Sequence, residues 1–163
     1  IGINNIKGKI NLNGTIKTQG RSFHEWANNY SGEVKIRAKA MELPNIDFNS
    51  FITNLLSSKT KPEIVTFTRV DIHKGSTLFK NLNGKTNISR GICSTSLQFE
   101  LDKASGSISA NLVLPNFTLT SILGLFFIPP NHSNPVYIET HLDGPIWRPT
   151  MSFEIDNIFS TLN

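Results

Sequence analysis

Residues 6 to 19 alternate between apolar and polar with one break, at Thr18. Ile6, Gly8, Ile10, Leu12, Gly14 and Ile16 share one parity, and Lys7, Lys9, Asn11, Asn13, Thr15, Lys17 and Gln19 share the other. A period of two sends successive side chains to opposite faces of a pleated strand. The pattern recurs in Ser94–Asp102, in Val136–Asp143 and in Thr150–Ile155. Parallel strands covered on both faces read instead as continuous apolar runs. The chain is therefore expected to form an antiparallel sheet with one apolar face, and that face is the expected seat of function.

Composition agrees with a sheet wetted on one side. Hydrophobic residues make up 38% of the 163 positions and charged residues 17%. Ordinary domains run to about 45–50% apolar when Gly is counted. Asn, Ser and Thr fill the difference, many at outward strand positions. The length suits one domain, or two small ones tightly joined. The net charge of +4 raises nucleic acid or anionic lipid as partners. The lysines are spread along strands with no aromatic-rich RNA motif, so nucleic acid is not expected. Lysines on a solvated face discourage strands from pairing at the edge.

Cys93 is the single cysteine, which excludes an internal disulfide and a cysteine zinc cluster. There is no signal sequence and no run of 18 apolar residues. The sequence reads as a single-domain piece, 1–163, of a longer membrane-anchored protein, with the anchor outside it.

Ser22 followed by Glu25 forms a capping box, and Phe23, Trp26, Ala27 and Tyr30 continue it as a helix ended by Gly32. A second strand carries Val34, Ile36, Ala38 and Ala40 opposite Lys35, Arg37 and Lys39. Asp47 caps a second helix from Phe48 to about Ser57. Ser57–Glu63 reads as a mobile loop. Strands are expected at about 64–73, 84–92, 94–102 and 106–114, with turns at Lys80–Gly84 and Asp102–Gly106. The dense apolar run in Thr118–Ile128, closed by Pro129 and Pro130, reads as a third short helix. Two strands meeting at Asp143–Pro145 follow, and Asp156 starts a terminal helical turn. The expected fold is mostly β: a curved, antiparallel single-layer sheet of about eight strands, of order 40 Å wide at ~4.8 Å spacing, with three short helices. Three short helices cannot cover the whole apolar face.

The sequence contains no HExxH, CxxC, Walker loop, GxSxG or GxGxxG motif. Tyr137, Glu139, His141 and Asp143 share one strand parity and could form a metal half-site or an acid–base set. That parity opposes Val136, Ile138 and Leu142, so it is the solvated face, where polar residues are expected anyway. Asn13, Asn87 and Asn116 stand in glycosylation sequons, which chance gives in a chain so rich in Asn, Ser and Thr. No enzyme is expected.

Two blocks carry a family resemblance. In the first, Gly8-Lys-Ile-Asn-Leu-Asn-Gly14 leads through Gln19-Gly-Arg-Ser22 and Tyr30-Ser-Gly32 to Leu43-Pro-Asn-Ile-Asp-Phe48. The second begins at Thr77-Leu-Phe-Lys-Asn-Leu-Asn-Gly84, continues with Ile88-Ser-Arg-Gly91 and Gly106-Ser-Ile-Ser109, and closes with Pro135-Val-Tyr-Ile138, Leu142-Asp-Gly144 and Arg148-Pro149. Together they resemble the C-terminal region of the AsmA family of bacterial envelope proteins, with Asn45 standing where that family favours Gly. The resemblance implies a long sheet curled into a groove in the periplasm, anchored in the inner membrane, along which phospholipids pass toward the outer membrane. It implies no catalytic residue and no cofactor.

A half-covered apolar face fits acyl chains on independent grounds, each buried CH₂ contributing about 0.8 kcal/mol. The expected groove lining is the apolar parity: Ile10, Leu12, Ile16, Val34, Ile36, Leu97, Phe99, Leu101, Ile108, Leu112, Val136, Ile138 and Phe153. The alternative is a structural module that docks on an outer-membrane assembly partner through Ile122–Ile128.

Overall fold

The computed structural model describes residues 6–57, 60–69, 72, 74–129 and 135–154. Its strands are β1 (Lys7–Lys17), β2 (Ser31–Pro44), β3 (Ser76–Ser89), β4 (Ile92–Glu100), β5 (Ser105–Val113), β6 (Thr118–Phe127), β7 (Val136–Pro145) and β8 (Thr150–Phe153). They form one open antiparallel sheet in which spatial order equals chain order, β1 to β8. Helix α1 (Phe23–Asn29) joins β1 to β2, and α2 (Phe48–Ser57) and α3 (Lys61–Arg69) join β2 to β3. No helix among the described residues is long and apolar enough to cross a membrane.

The fold class matches the sequence expectation, and α1 and α2 form where their caps predict. The Ser22 hydroxyl accepts from the Glu25 amide at 3.2 Å, and the Glu25 carboxylate reaches back to the Arg21 amide at 2.6 Å. Asp47 accepts from the Ser50 amide at 2.9 Å and opens α2.

Three expectations need correction. Thr118–Phe127 is the strand β6, not a helix, with Leu119, Ser121, Leu123, Leu125 and Phe127 facing inward across from their partners on β5 and β7. An apolar run of this length suits either state by periodicity, and two neighbouring strands offering hydrogen bonds decide it. Residues 61–69, read as the end of a loop and the start of a strand, form α3. Lys80–Gly84 is not a turn but the middle of β3, which pairs with β2 and β4 throughout it. The helical turn expected after Asp156 and the last residue of the expected strand 150–155 lie outside the described residues.

The core sits at one end of the apolar face. Phe48, Phe51, Ile52 and Leu55 of α2 and Ile64 of α3 pack with Phe79, Leu82, Phe99, Leu101, Leu125, Phe127, Val136 and Ile138 from the sheet. Phe79 meets Phe99 edge-on at 5.2 Å, and Phe51 reaches Phe153 at 5.2 Å. Such aromatic pairs add roughly 0.5–1.5 kcal/mol beyond the area they bury. The buried Thr77 hydroxyl donates to the Ile46 carbonyl at 2.6 Å and accepts from the Phe48 amide at 2.9 Å. It thus ties the start of α2 to β3.

Candidate functional site

Directly opposed residues on paired strands share a face, so the register defines rungs that cross the sheet. One rung in the α2 half of the face runs Ala38, Leu82, Phe99, Gly106, Leu125 and Ile138. Its large side chains are closed over by helix. The next runs Ile36, Gly84, Leu97, Ile108, Leu123, Thr140 and Phe153, and most of its members are half-buried. Beyond it the side chains become small: Val34, Thr86, Thr95, Ala110 and Ser121, then Leu142 and Met151. The last rung, Ile88, Cys93, Leu112 and Leu119, lies toward α1.

The result is a trough that crosses the strands between two helical covers. Its floor is low because Thr, Thr, Ala and Ser are short, and its walls are aliphatic. The floor hydroxyls each have a partner within the sheet. Thr86 and Thr95 share a hydrogen bond of 2.8 Å, and Ser121 donates to the Leu142 carbonyl at 3.0 Å. An apolar chain lying on this floor would therefore meet hydroxyls that already hold a partner, which lowers the usual penalty for covering them.

At its α1 side the face opens into an apolar cleft of about 440 Å³ lined by Ile16, Phe23, Ala27, Tyr30, Ile88 and Cys93, with Leu114 and Phe117 at its lip. That volume falls within the roughly 300–1,000 Å³ of small-molecule sites. Desolvation by burial raises the Cys93 pKa, so its thiol stays protonated and apolar at neutral pH.

The thirteen side chains expected to line a groove separate into four groups. Phe99, Leu101, Val136 and Ile138 are core residues buried beneath the helices and offer no open groove surface. Ile36, Leu97, Ile108 and Phe153 pack against that core and form the wall of the trough on its α2 side. Val34 and Leu112 belong to the open strip, while Ile10, Leu12 and Ile16 stand exposed on the edge strand β1, Leu12 at 66%. Sequence parity finds the face but not which part a helix covers. Thr86, Thr95, Ala110 and Cys93 were missed because small or polar residues do not announce themselves as apolar lining.

On the opposite face, Tyr137 donates to Glu139 at 2.9 Å and His141 lies 3.3 Å from Glu139. Asp143 instead accepts from the Ser121 amide at 3.3 Å. The Tyr137 pKa is raised, first by burial and then by the Glu139 carboxylate. Among the described residues no three His, Cys, Asp or Glu side chains are grouped to hold a metal ion. No protein-family model, curated protein or solved structure matches this chain.

Proposed function

We propose that this chain is a non-enzymatic segment of an AsmA-like envelope protein that binds and guides phospholipid acyl chains along its apolar face. On this reading it works in the periplasm between inner and outer membrane, held by an inner-membrane anchor outside residues 1–163. It supports outer-membrane biogenesis. One observation carries the reading: a half-exposed strip of aliphatic walls over a floor whose hydroxyls are bonded internally, opening into an apolar cleft. Acyl chains need area and dryness rather than directional partners, and this strip supplies both.

The test is native mass spectrometry with lipid extraction on the chain purified from bacterial cells. Phospholipid should co-purify, and Ala110→Phe, which raises the floor of the trough, should reduce it while the protein stays folded. A folded, lipid-free chain contradicts the reading.

A second reading is favoured by a separate observation. Ile122, Phe126 and Tyr137 are exposed on the outward face of β6 and β7, with the Phe126 and Tyr137 rings 4.6 Å apart and tilted at 37°. This patch, which extends the Ile122–Ile128 segment onto β7, suits a docking module that contacts an outer-membrane protein partner. Loss of partner capture in Phe126→Ser, with lipid content unchanged, would favour it.

A further inference from the structure

We propose that the α1 end of the sheet docks onto an anionic phospholipid bilayer. Four connections meet at this end, and backbone hydrogen bonds lace them into one surface. The Gly91 amide in the β3–β4 turn donates to the Tyr30 carbonyl after α1 at 3.5 Å. The Leu114 amide after β5 donates to the Gly91 carbonyl at 2.8 Å, and the Ile146 amide in the β7–β8 turn donates to the Phe117 carbonyl at 3.0 Å. Short turns tied in this way present their side chains as a fixed rim.

That rim exposes Phe23, Trp26, Phe117 and Trp147, with Phe23 at 62% and Trp147 at 67%. Single exposed apolar residues are ordinary, but several large aromatics gathered on one set of turns mark an interaction surface. Tryptophan suits the boundary between water and acyl chains because an apolar ring carries one polar N–H. The Trp26 indole N–H is held by the Gly20 carbonyl at 2.8 Å, which fixes the ring at the surface.

Charge chooses the partner. Lys17, Arg21, Arg90 and Arg148 are exposed among the same connections. Glu25, which accepts from the Arg21 amide, is the carboxylate among these described residues, and the four cations outnumber it. Farther along the strands, Asp143 is held by the Ser121 amide and Glu33 lies 3.9 Å from Lys85. Cations flanking interfacial aromatics complement the headgroups of an anionic leaflet. Such a fluid layer needs no matching shape, which suits a rim of turns better than a rigid protein face does.

The inference goes beyond the acyl-chain reading and has its own readout. Both tryptophans of the chain lie on this rim, so intrinsic fluorescence reports on this end alone. The 163-residue chain is mixed with vesicles of phosphatidylethanolamine and phosphatidylglycerol, and separately with phosphatidylcholine vesicles. With the anionic vesicles the emission should shift to shorter wavelength and be quenched by brominated acyl chains, and the protein should float with them. Added salt should weaken flotation. Phe23→Ser with Trp147→Ser, and separately Arg21→Gln with Arg90→Gln and Arg148→Gln, should each abolish it while circular dichroism stays unchanged.

Three results would overturn the inference. The chain fails to float with anionic vesicles. Flotation survives both rim variants yet is lost on replacing Lys35, Arg37 and Lys39 by Gln, which would put the contact on the outward face. Or the emission shift grows with protein concentration in the absence of vesicles, which would make the rim a seat for a second copy. Ala110→Phe must leave flotation intact. Lost flotation with lipid still co-purifying would sink the docking inference alone.

Discussion

Leu12 and Phe51 are both large apolar side chains aimed at the same side of the sheet, yet they do different work. Phe51 is buried against Phe153 and the rest of the α2 contact. Leu12 stands on the edge strand in water. Phe51→Ala should cost about 3–5 kcal/mol through lost transfer energy and the cavity left behind. Leu12→Asn should change stability by no more than about 0.5 kcal/mol. Urea denaturation of the two variants checks the contrast, and a small loss for Phe51→Ala would contradict the placement of α2. Thr77 is a polar test of the same contact. Thr77→Val keeps shape but leaves the Phe48 amide and the Ile46 carbonyl without the partner each has now. Leaving buried groups unsatisfied costs about 1–3 kcal/mol, and the same melts should show it.

At the scale of elements, β1, β2, the outlines of β4, β5 and β7, and helices α1 and α2 were legible from periodicity and caps. What escaped did so for local reasons. In β3 the buried positions are Thr77 and Phe79 and then Leu82 and Ile88, so the inward parity slips by one near Lys80. A slip in phase reads as a break in a strand, hence the expected turn at Lys80–Gly84. The neighbouring strand slips in step, with Ala38 and then Met41 in the core contact and Ala40 at φ 50° between them.

Helix α3 also carries a start signal in the sequence. Thr60 and Glu63 form a second capping box around Pro62, and the Glu63 carboxylate accepts from the Thr60 amide at 3.2 Å. Proline in the first turn of a helix is favourable. The candidate site was legible as a face and not as a trough, because which half is covered depends on where α2 lands.

The β3–β4 hairpin shows how a turn serves an element beyond itself. Arg90 and Gly91 both have positive φ, at 49° and 74°, the pattern of a two-residue turn that matches strand twist. A Cβ on Gly91 would also run into the Ala27 carbonyl oxygen in α1. Gly91→Ala should therefore destabilise the fold by more than about 1 kcal/mol and loosen α1 first. Hydrogen exchange checks this: the α1 amides should lose protection while those of β4 and β5 keep theirs. Uniform loss across the sheet would contradict the local account.

Across the whole molecule, one sheet has two faces with separate tasks. The outward face is wet, with Lys9, Lys17, Lys35, Arg37, Lys39 and Lys85 on β1 to β3. The inward face is split between a packed core at the α2 end and an open apolar strip toward α1. The sheet ends on β1, an eleven-residue edge exposed on both faces. Its lysines oppose indiscriminate pairing with other strands. The cleft, the trough and the aromatic rim lie toward the α1 end of the sheet, away from the core, and on the proposed reading the packed half supplies stability while the open half takes the ligand.

Cys93 tests the central claim most directly, because the only thiol of the chain lines the cleft. Its raised pKa sets the pH behaviour: alkylation should be slow at neutral pH and rise only as pH climbs past the usual thiol range. The measurement is the alkylation rate at fixed pH with and without a monomeric lysophospholipid. If acyl chains occupy the cleft, the rate should fall as lysophospholipid is added and saturate, and Ala110→Phe should weaken that protection. A rate unchanged at every lysophospholipid concentration, in a protein that remains folded, would contradict the account.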